Sequence, residues 1–315
     1  MIRAYVFPGQ GSQFVGMGKA LADAYPAARA VFQEVDDALG QPLAQLMFEG
    51  PEQNLRLTEN TQPALMAVSV AVARVLEEAG LRLADYAAYV AGHSLGEYSA
   101  LVAAGSFTLS DAARLLKLRG QAMQQAVPVG EGAMAALLGL DFDAVAAIAA
   151  AAAGDGVCAP ANDNASGQVV VSGDKAAVER AMALAKDKGA RKSVLLPVSA
   201  PFHCRLMQPA ANEMRDALKA AAIKPPVVPL IANVTASPVD DPEAIRRLLV
   251  EQVTATVRWR ESVEALVARG VTCQVELGAG KVLTGLAKRI DRSLEAFTLG
   301  DPAEIDAFIG AARGI

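Results

Sequence analysis

The five residues Gly-His-Ser-Leu-Gly at 92–96 constrain the fold of this chain more than any other feature. An apolar segment at 87–92 precedes the serine, and residues 95–104 continue with apolar side chains at near-helical spacing. A G-x-S-x-G pattern between a strand and a helix is typical of a nucleophile elbow, in which small residues permit a strained turn that exposes the serine. The pattern therefore predicts an α/β fold with Ser94 at a helix N-terminus, where free backbone N–H groups favour an anion.

Residues 131–197 show a second pattern, in which short apolar segments alternate with helical ones. The predicted elements, in chain order, are a strand at 133–140, a helix at 141–153 opened by Asp141, strands at 157–162 and 168–172, a helix at 174–188 and a strand at 191–196. This βαββαβ order is that of a ferredoxin-like module. We therefore expect a hydrolase-like α/β core of residues 1–130 and 198–315, with residues 131–197 inserted as a ferredoxin-like subdomain.

The rest of the core is predicted from the same periodicities and turn signals. The predicted strands lie at 2–7, 227–231 and 272–277, and the predicted helices at 17–25, 26–39, 61–80, 242–253, 259–269 and 281–291. Thr61 is expected to open the helix at 61–80, with Pro63 in its first turn. Residues 8–13 are predicted to form a glycine-rich loop after the first strand.

Composition and charge exclude several classes of function. The 315 residues carry a formal net charge of −5, so no overall field attracts nucleic acid or an anionic membrane surface. The three cysteines, Cys158, Cys204 and Cys273, are far apart and indicate neither a zinc site nor a disulfide framework, so we expect a reducing cytoplasm. The first residues read directly as strand and turn, so no secretory signal is expected. No stretch reaches the roughly 18 apolar residues of a membrane span.

A serine nucleophile needs a neighbouring base, and the chain has only two histidines. His93 adjoins Ser94, and because side chains of consecutive residues diverge, we expect His93 to pack beneath the turn. His203 is then the candidate base. Acidic residues between the serine and this histidine include Asp111, Glu131 and Asp163. None has a recognisable strand-end setting, so an acidic triad and a Ser–His pair oriented by a neutral carbonyl both remain open.

Ten short segments extend over essentially the whole chain. They are FPGQGSQ at 7–13, TQPAL at 61–65, GHSLGEYSAL at 92–101, RG at 119–120, GAMAAL at 132–137, AN with GQVVVSG at 161–173, PFHC at 201–204, NVTA at 233–236, VRW at 257–259 and ELGAGKVLTGL at 276–286. In these segments and their order the chain resembles bacterial malonyl-CoA:acyl carrier protein transacylases and the related acyltransferase domains of polyketide and fatty acid synthases.

The resemblance implies roles for individual residues of the reaction centre. Ser94 is implied as the nucleophile and His203 as the base. Gln10 and the amide of Leu95 are implied as the oxyanion hole, and the main-chain carbonyl of Gln252 is implied to orient the histidine. From its spacing alone, Gln252 would be interpreted as a solvated glutamine at a helix end.

The resemblance also implies how the acyl group is chosen. Arg119 is implied to hold the acyl carboxylate, because the planar guanidinium forms two parallel hydrogen bonds with a carboxylate where lysine does so less well. Without the resemblance, the cluster of Arg114, Lys117 and Arg119 would indicate a solvated helix face. Phe202 matches the bulky-residue version of the family motif, which goes with malonyl and leaves little room for an added methyl group.

The activity implied is transfer of malonyl from malonyl-CoA, through a seryl ester, to the phosphopantetheine thiol of acyl carrier protein, for fatty acid or polyketide synthesis. We expect a monomer with no metal or redox cofactor, and no nucleic-acid or membrane partner. Carrier proteins of this kind are acidic, so a local basic surface is expected to bind them, with Lys281, Lys288 and Arg289 as candidates. A serine hydrolase or thioesterase is the alternative enzyme, and a catalytically silent interaction domain is the alternative outside enzymes.

Overall fold

The structure, a computed structural model that describes residues 1–313, contains two β-sheets. Its strands, in chain order, are β1 (Arg3–Phe7), β2 (Tyr89–Gly92), β3 (Gly132–Leu138), β4 (Cys158–Ala165), β5 (Gln168–Asp174), β6 (Lys192–Leu195), β7 (Leu230–Ala232), β8 (Ser237–Val239), β9 (Cys273–Leu277) and β10 (Glu295–Leu299). The first sheet has six strands in the order β10-β9-β1-β2-β7-β8, and the second has four in the order β4-β5-β3-β6.

Helices pack against both sheets. In chain order they are α1 (Lys19–Ala24), α2 (Pro26–Leu39), α3 (Leu43–Glu49), α4 (Glu52–Leu55), α5 (Thr58–Glu78), α6 (Leu83–Tyr86), α7 (Gly96–Ala103), α8 (Leu109–Gln125), α9 (Phe142–Ala153), α10 (Lys175–Asp187), α11 (Gln208–Ala220), α12 (Pro242–Glu251), α13 (Trp259–Ala268), α14 (Val282–Ile290) and α15 (Pro302–Arg313). Among residues 1–313, none of these helices has the length and apolar content needed to cross a bilayer.

The central strands of the first sheet, β1 and β2, place two loops side by side. They run parallel, with Phe7 opposite Gly92, and both are largely buried. In the described part of the chain, β8 alone runs antiparallel to its neighbour in this sheet. Because parallel strands end at the same edge, the loop after β1 lies against the turn after β2, and His93 N–H donates to the Phe7 carbonyl oxygen at 3.0 Å.

The helix expected to open at Thr61 begins earlier, at Thr58, and this corrects one prediction. The N–H of Thr61 already donates to the carbonyl oxygen of Leu57, at 2.9 Å, so the first turn precedes the threonine. Pro63 therefore lies inside α5 rather than in its first turn, where it removes one backbone hydrogen bond. Most of α5 is buried, so tertiary packing offsets that loss.

The second sheet and its two helices follow the predicted βαββαβ order, and all its strand pairs are antiparallel. Asp141 caps α9 as the pattern indicated, because its side chain accepts a hydrogen bond from Ala144 N–H at 2.8 Å. Residues of β3 alternate between two faces. Ala135 and Leu137 join the core of this subdomain, whereas Met134 packs against the core of the larger sheet.

Strand β4 connects the subdomain to the larger sheet's helices. Asp163 N–H donates to the Val257 carbonyl oxygen, and Val257 N–H donates to that of Ala161, both at 2.9 Å. The Asp163 carboxylate, whose side chain is 1% exposed, pairs with Arg260 at 2.8 Å. Asp163 therefore pairs with Arg260, and within residues 1–313 it forms no hydrogen bond with His203.

For several elements no bounds were predicted from the sequence. They are α3, α4, α6, α8, α11, α15, β8 and β10. The most important is α8, which carries Arg119 and whose Thr108 hydroxyl caps the helix by accepting from Asp111 N–H at 3.1 Å. The strand expected at 227–231 starts only at Leu230, because Pro229 lacks the N–H that the ladder needs.

Candidate active site

The turn between β2 and α7 is tightly packed at both of its glycines. A Cβ atom on Gly92 would lie 1.9 Å from the carbonyl carbon of Gly96, and a Cβ atom on Gly96 would lie 2.2 Å from the carbonyl oxygen of Phe7. Only hydrogen fits at either position. Ser94, between them, has a φ of 53°, in the left-handed region that residues other than glycine seldom adopt. The chain therefore holds the serine in the strained turn that the G-x-S-x-G pattern predicted.

Ser94 and His203 come together although 109 residues separate them. Ser94 Oγ lies 2.8 Å from His203 Nε2, and His203 Nδ1 lies 2.8 Å from the main-chain oxygen of Gln252. Because a carbonyl oxygen only accepts, Nδ1 carries the proton and Nε2 accepts from the serine hydroxyl. Of the two alternatives that the sequence left open, this geometry favours the histidine oriented by a neutral carbonyl.

The environment of His203 keeps its imidazole neutral. The residue is 4% exposed, and burial, together with the positive charge of Arg119, lowers the pKa of His203 to about 3. The hydrogen bond to the Gln252 carbonyl acts in the opposite direction. A neutral imidazole has the free nitrogen that a general base requires. His203 also has a positive φ, of 58°, a strain that is often found at functional sites.

Two backbone N–H groups beside the serine have no protein acceptor. Within residues 1–313, neither Gln10 N–H nor Leu95 N–H donates a hydrogen bond. Leu95 is the N-cap residue of α7, whose dipole adds to the attraction for an anion. The Gln10 loop lies against the elbow, since a Cβ atom on Gly9 would lie 2.6 Å from the His93 carbonyl oxygen. The Gln10 side-chain oxygen accepts from the Thr58 hydroxyl at 2.9 Å.

Arg119 is a buried cation, only 1% exposed. Its two terminal nitrogens donate to the side-chain oxygens of Gln62 and Gln252, each at 2.8 Å, and one also donates to Ser94 Oγ at 3.3 Å. Its Nε–H has no acceptor in the described chain. Among residues 1–313, no Asp or Glu forms an ion pair with it. A buried guanidinium that lacks an acidic partner has the chemistry to bind an anionic ligand.

The other basic residues of the Arg119 cluster differ from it. Arg114 pairs with Asp111 at 3.3 Å, and Lys117 pairs with Glu59 at 3.2 Å. Both cations therefore have a carboxylate partner and lie nearer the surface. The interpretation of the cluster as a solvated helix face is right for the exposed Arg114, holds only in part for the half-buried Lys117, and is wrong for the buried Arg119.

A cavity of about 250 Å³ lies over the Ser94 and His203 side chains. Its wall is formed by Gln10, Gly11, Gln13, Gln62, His93, Ser94, Leu95, Arg119, Met123, Met134, Asn162, Leu196, Pro197, Val198, Phe202 and His203. Phe202 is 7% exposed and narrows the apolar side of this space. In the described part of the chain, no group of three or more His, Cys, Asp or Glu side chains is arranged to hold a metal ion.

His93 has partners of its own. Its Nε2 lies 2.8 Å from Asn164 Oδ1, and its ring centre lies 5.7 Å from that of Trp259. Burial lowers the pKa of His93. The residue connects the elbow to β4 and is separate from the hydrogen-bonded pair of Ser94 and His203.

Asn233 braces the elbow from behind. Its Nδ2 donates to the Gly92 carbonyl oxygen at 2.7 Å, and its Oδ1 accepts from Ser94 N–H at 2.8 Å. Its own N–H donates to Glu97 Oε1 at 2.6 Å, and the other oxygen of Glu97 accepts from Gln252 Nε2. These contacts tie the strained turn to the residue that orients His203.

Sequence reasoning did not assign Asn233, Glu97 and Gln62 to the site. Each lies in one of the segments that carry the family resemblance, namely NVTA, GHSLGEYSAL and TQPAL. Their position in these segments was the only sequence signal that they belong to the site. A polar residue in a helix or turn otherwise indicates solvent exposure.

Comparisons with known proteins agree over the whole chain. Residues 4–298 match the family model described as acyl transferase domain. The malonyl CoA-acyl carrier protein transacylase of Bacillus subtilis strain 168 is 45% identical over 307 residues, which cover 97% of this chain and 96% of that protein. The crystal structure of acyl-carrier-protein-S-malonyltransferase from Bartonella henselae has a TM-score of 0.97 at 56% identity and covers 100% of both chains.

A second similar structure contains a protein partner. It is described as a type II PKS acyl-carrier protein in complex with its malonyl-transacylase. It has a TM-score of 0.96 at 44% identity, and the match covers 99% of this chain and 100% of that one. The similarity in all three cases extends over both sheets and is not restricted to the elbow.

Proposed function

The chain belongs to the acyl transferase family, and we propose that it transfers malonyl from malonyl-CoA to the phosphopantetheine thiol of an acyl carrier protein. The relatives compared above are named for this activity and match nearly the full chain. The observation that most supports the proposal lies inside the site. A hydrogen-bonded Ser94 and His203 adjoin Arg119, a buried cation with an unpaired N–H. An acyl group that ends in a carboxylate needs both features.

In the first half-reaction, His203 Nε2 accepts the proton of Ser94 as Oγ attacks the thioester carbonyl carbon. The carbonyl oxygen becomes an oxyanion, for which the N–H groups of Gln10 and Leu95 are the proposed donors. Collapse of the tetrahedral intermediate breaks the carbon–sulfur bond, and the imidazolium returns its proton to the departing coenzyme A thiolate. A malonyl ester remains on Ser94.

In the second half-reaction, the carrier thiol takes the place that coenzyme A has left. His203 Nε2 accepts the thiol proton as sulfur attacks the ester carbon, and the same donors stabilise the oxyanion. The carbon–oxygen bond of the ester then breaks, and Ser94 recovers its proton from the imidazolium. This order predicts ping-pong kinetics.

Arg119 and Phe202 are the proposed determinants of acyl choice. The Arg119 guanidinium, fixed by two glutamine side chains, offers N–H groups to the terminal carboxylate of malonyl. Phe202 fills the space that a larger acyl chain would need. The malonyl carboxylate loses its hydration when it enters the cavity, and this costs free energy. A fixed cation offsets that cost. A neutral acyl group carries no charge for the cation to stabilise.

The alternative activity is hydrolysis of the same ester by water. The comparisons favour transfer, because the relatives that match nearly the whole chain are named as a transacylase and a malonyltransferase. The two activities share the loading step and differ only in the acceptor.

The test is to mix the protein with isotopically labelled malonyl-CoA, locate the label by mass spectrometry, and then add carrier protein or buffer alone. We expect label on Ser94, and fast release only with carrier protein. Equal release in buffer would indicate a hydrolase. Label elsewhere, or no label in the folded protein, would contradict both activities. Ser94→Ala is the control.

Some finer predictions stay proposals. We propose a hydrolase-like core of residues 1–130 and 198–315 with a ferredoxin-like subdomain at 131–197, and a monomer in the cytoplasm. A basic surface of Lys281, Lys288 and Arg289 stays the proposed docking site for an acidic carrier, although Lys281 already pairs with Glu304 at 3.0 Å.

A further inference from the structure

The side chain of Glu97 is a buried acid directly behind the elbow. It lies in the first turn of α7, is 1% exposed, and does not line the cavity over Ser94. Its Oε1 accepts from Asn233 N–H at 2.6 Å, and its Oε2 accepts from Gln252 Nε2. The mechanism above gives it no role, yet a buried acid is costly unless a specific arrangement requires it.

The Gln252 side chain connects this acid to the proposed carboxylate-binding cation. Its Nε2 donates to Glu97 and also to the Ser94 carbonyl oxygen, at 2.9 Å. Its Oε1 accepts from Arg119 at 2.8 Å. The same residue accepts from His203 Nδ1 through its main-chain oxygen. One glutamine therefore contacts the proposed nucleophile, base and cation.

We propose that Glu97 is a positioning residue that fixes the orientation of the Gln252 amide and thereby holds Arg119 for the substrate carboxylate. The inference rests on the proposed malonyl transfer. Both Glu97 oxygens accept in the structure, Oε1 from Asn233 N–H and Oε2 from Gln252 Nε2, so the acid selects the amide orientation in which Nε2 faces Glu97 and Oε1 faces the guanidinium. In the reverse orientation, N–H groups of Gln252 and Arg119 would face one another, and a buried donor would lose its acceptor.

The indirect contact explains how a buried cation can stay available. An acid in direct contact with Arg119 would occupy the N–H groups that the substrate carboxylate needs. Glu97 instead reaches the guanidinium through the neutral Gln252 amide, which accepts from only one of the two terminal nitrogens of Arg119. Burial raises the pKa of Glu97 to about 8, whereas the two N–H donors and the Arg119 charge favour its ionised form.

A matched control exists elsewhere in the fold. Glu276 is equally buried, at 0% exposure, and accepts from Leu283 N–H and Thr284 N–H at 3.1 and 2.7 Å. It lies outside the residues that line the cavity over Ser94. Burial raises its pKa as well. Glu276→Gln therefore measures what losing a buried carboxylate does to the fold alone.

The experiment compares wild type, Glu97→Gln and Glu276→Gln in loading malonyl-CoA and acetyl-CoA. It also measures the binding of both thioesters in a Ser94→Ala background, which needs no transfer. We expect Glu97→Gln to lower the preference for malonyl-CoA over acetyl-CoA by about tenfold to a hundredfold, the range for losing one hydrogen bond to a charged group. Glu276→Gln should keep the wild-type preference. Glu97→Asp, too short to reach both partners, should show the same loss if Glu97→Gln is too unstable to purify.

The outcomes separate the two claims. A folded Glu97 variant that keeps the wild-type preference in both loading and binding would show that the residue only supports the fold, while the proposed function stands. If wild type itself neither loads nor binds malonyl-CoA preferentially, the proposed function fails, and the role of Glu97 fails with it.

Discussion

The elbow and the core of the subdomain are both buried, but they are built from opposite kinds of side chain. Behind the elbow lies a polar network, defined here as Glu97, Arg119, His203, Asn233 and Gln252, each 4% exposed or less. The subdomain core is small and aliphatic, with members such as Ala135, Leu137, Val145, Val171 and Val178. Apolar contacts are non-directional, whereas each hydrogen bond of the network requires one partner at one angle. Changes in the network should therefore alter chemistry, and changes in the subdomain core should alter stability.

The largest expected effect tests the base in the network. His203→Ala should lower malonyl transfer by about 10²–10⁴-fold, the usual contribution of a positioned general base. His93→Ala, which removes the contact to Asn164, should affect folding more than the transfer rate. The measurement is the single-turnover loading rate of each folded variant. Near-normal turnover by His203→Ala would remove the histidine from the mechanism.

The next effect concerns the cation of the network. Removing one member of a buried charge pair costs about 2–5 kcal/mol, so Arg119→Ala should lower kcat/KM for malonyl-CoA by roughly thirtyfold to several thousandfold. Acetyl-CoA should be used as well as before or better. Arg119→Lys should recover only part of the loss, because a point charge lacks the planar fork.

Comparing the two thioesters also defines the result that would contradict the role of Arg119 in acyl choice. The two thioesters are compared on one preparation of the Arg119 variant, with circular dichroism to establish that it is folded. Equal losses for malonyl-CoA and acetyl-CoA would mean that Arg119 supports the fold or binds coenzyme A.

A change in the subdomain core should give the reverse pattern. Leu137 is fully buried there, and Leu137→Ala should lower the free energy of unfolding by about 2–5 kcal/mol. Below its melting temperature the variant should load malonyl-CoA at the wild-type rate with unchanged preference over acetyl-CoA. Urea unfolding measures the change in stability, and loading kinetics measure the rate and the acyl preference. Altered acyl preference in Leu137→Ala would contradict the separation between the two regions.

The smallest effect is in the pH profile. Burial and Arg119 lower the pKa of His203 to about 3, so its base form persists as pH falls. The loading rate should therefore stay level between about pH 5 and 7, whereas an ordinary histidine near 6.5 would protonate in that range. In the unfolded chain this histidine protonates in that range, whereas in the folded protein it stays neutral. The free energy of unfolding should therefore decrease as pH falls from 6.5 toward 3. A loading rate that falls with an apparent pKa near 6.5 would contradict a neutral, buried His203.

The same contrast explains how far the sequence led. The elements of the subdomain were predicted to within a few residues because its apolar side chains repeat with the periods of strands and helices. In the candidate active site, only the elbow serine and the histidine base followed from the residues themselves. Arg119, Leu95, Gln10 and Gln252 depended on the family resemblance.

Glu97 and Asn233 were missed for a physical reason. Glu97 meets Asn233 across 136 residues and Gln252 across 155, and such contacts leave no period in the sequence. An isolated Glu in a helix has the same local pattern whether it is solvated or buried against a glutamine. Only the fold distinguishes the two.

The central claim is that the buried network presents Ser94 and Arg119 to opposite ends of one malonyl group. A crystal structure of the protein after brief exposure to malonyl-CoA tests it most directly. We predict an ester on Ser94 Oγ, the malonyl carboxylate within hydrogen-bond distance of the Arg119 guanidinium, and the Gln252 amide oxygen still toward that arginine. An ester whose carboxylate lies away from Arg119 would contradict the account.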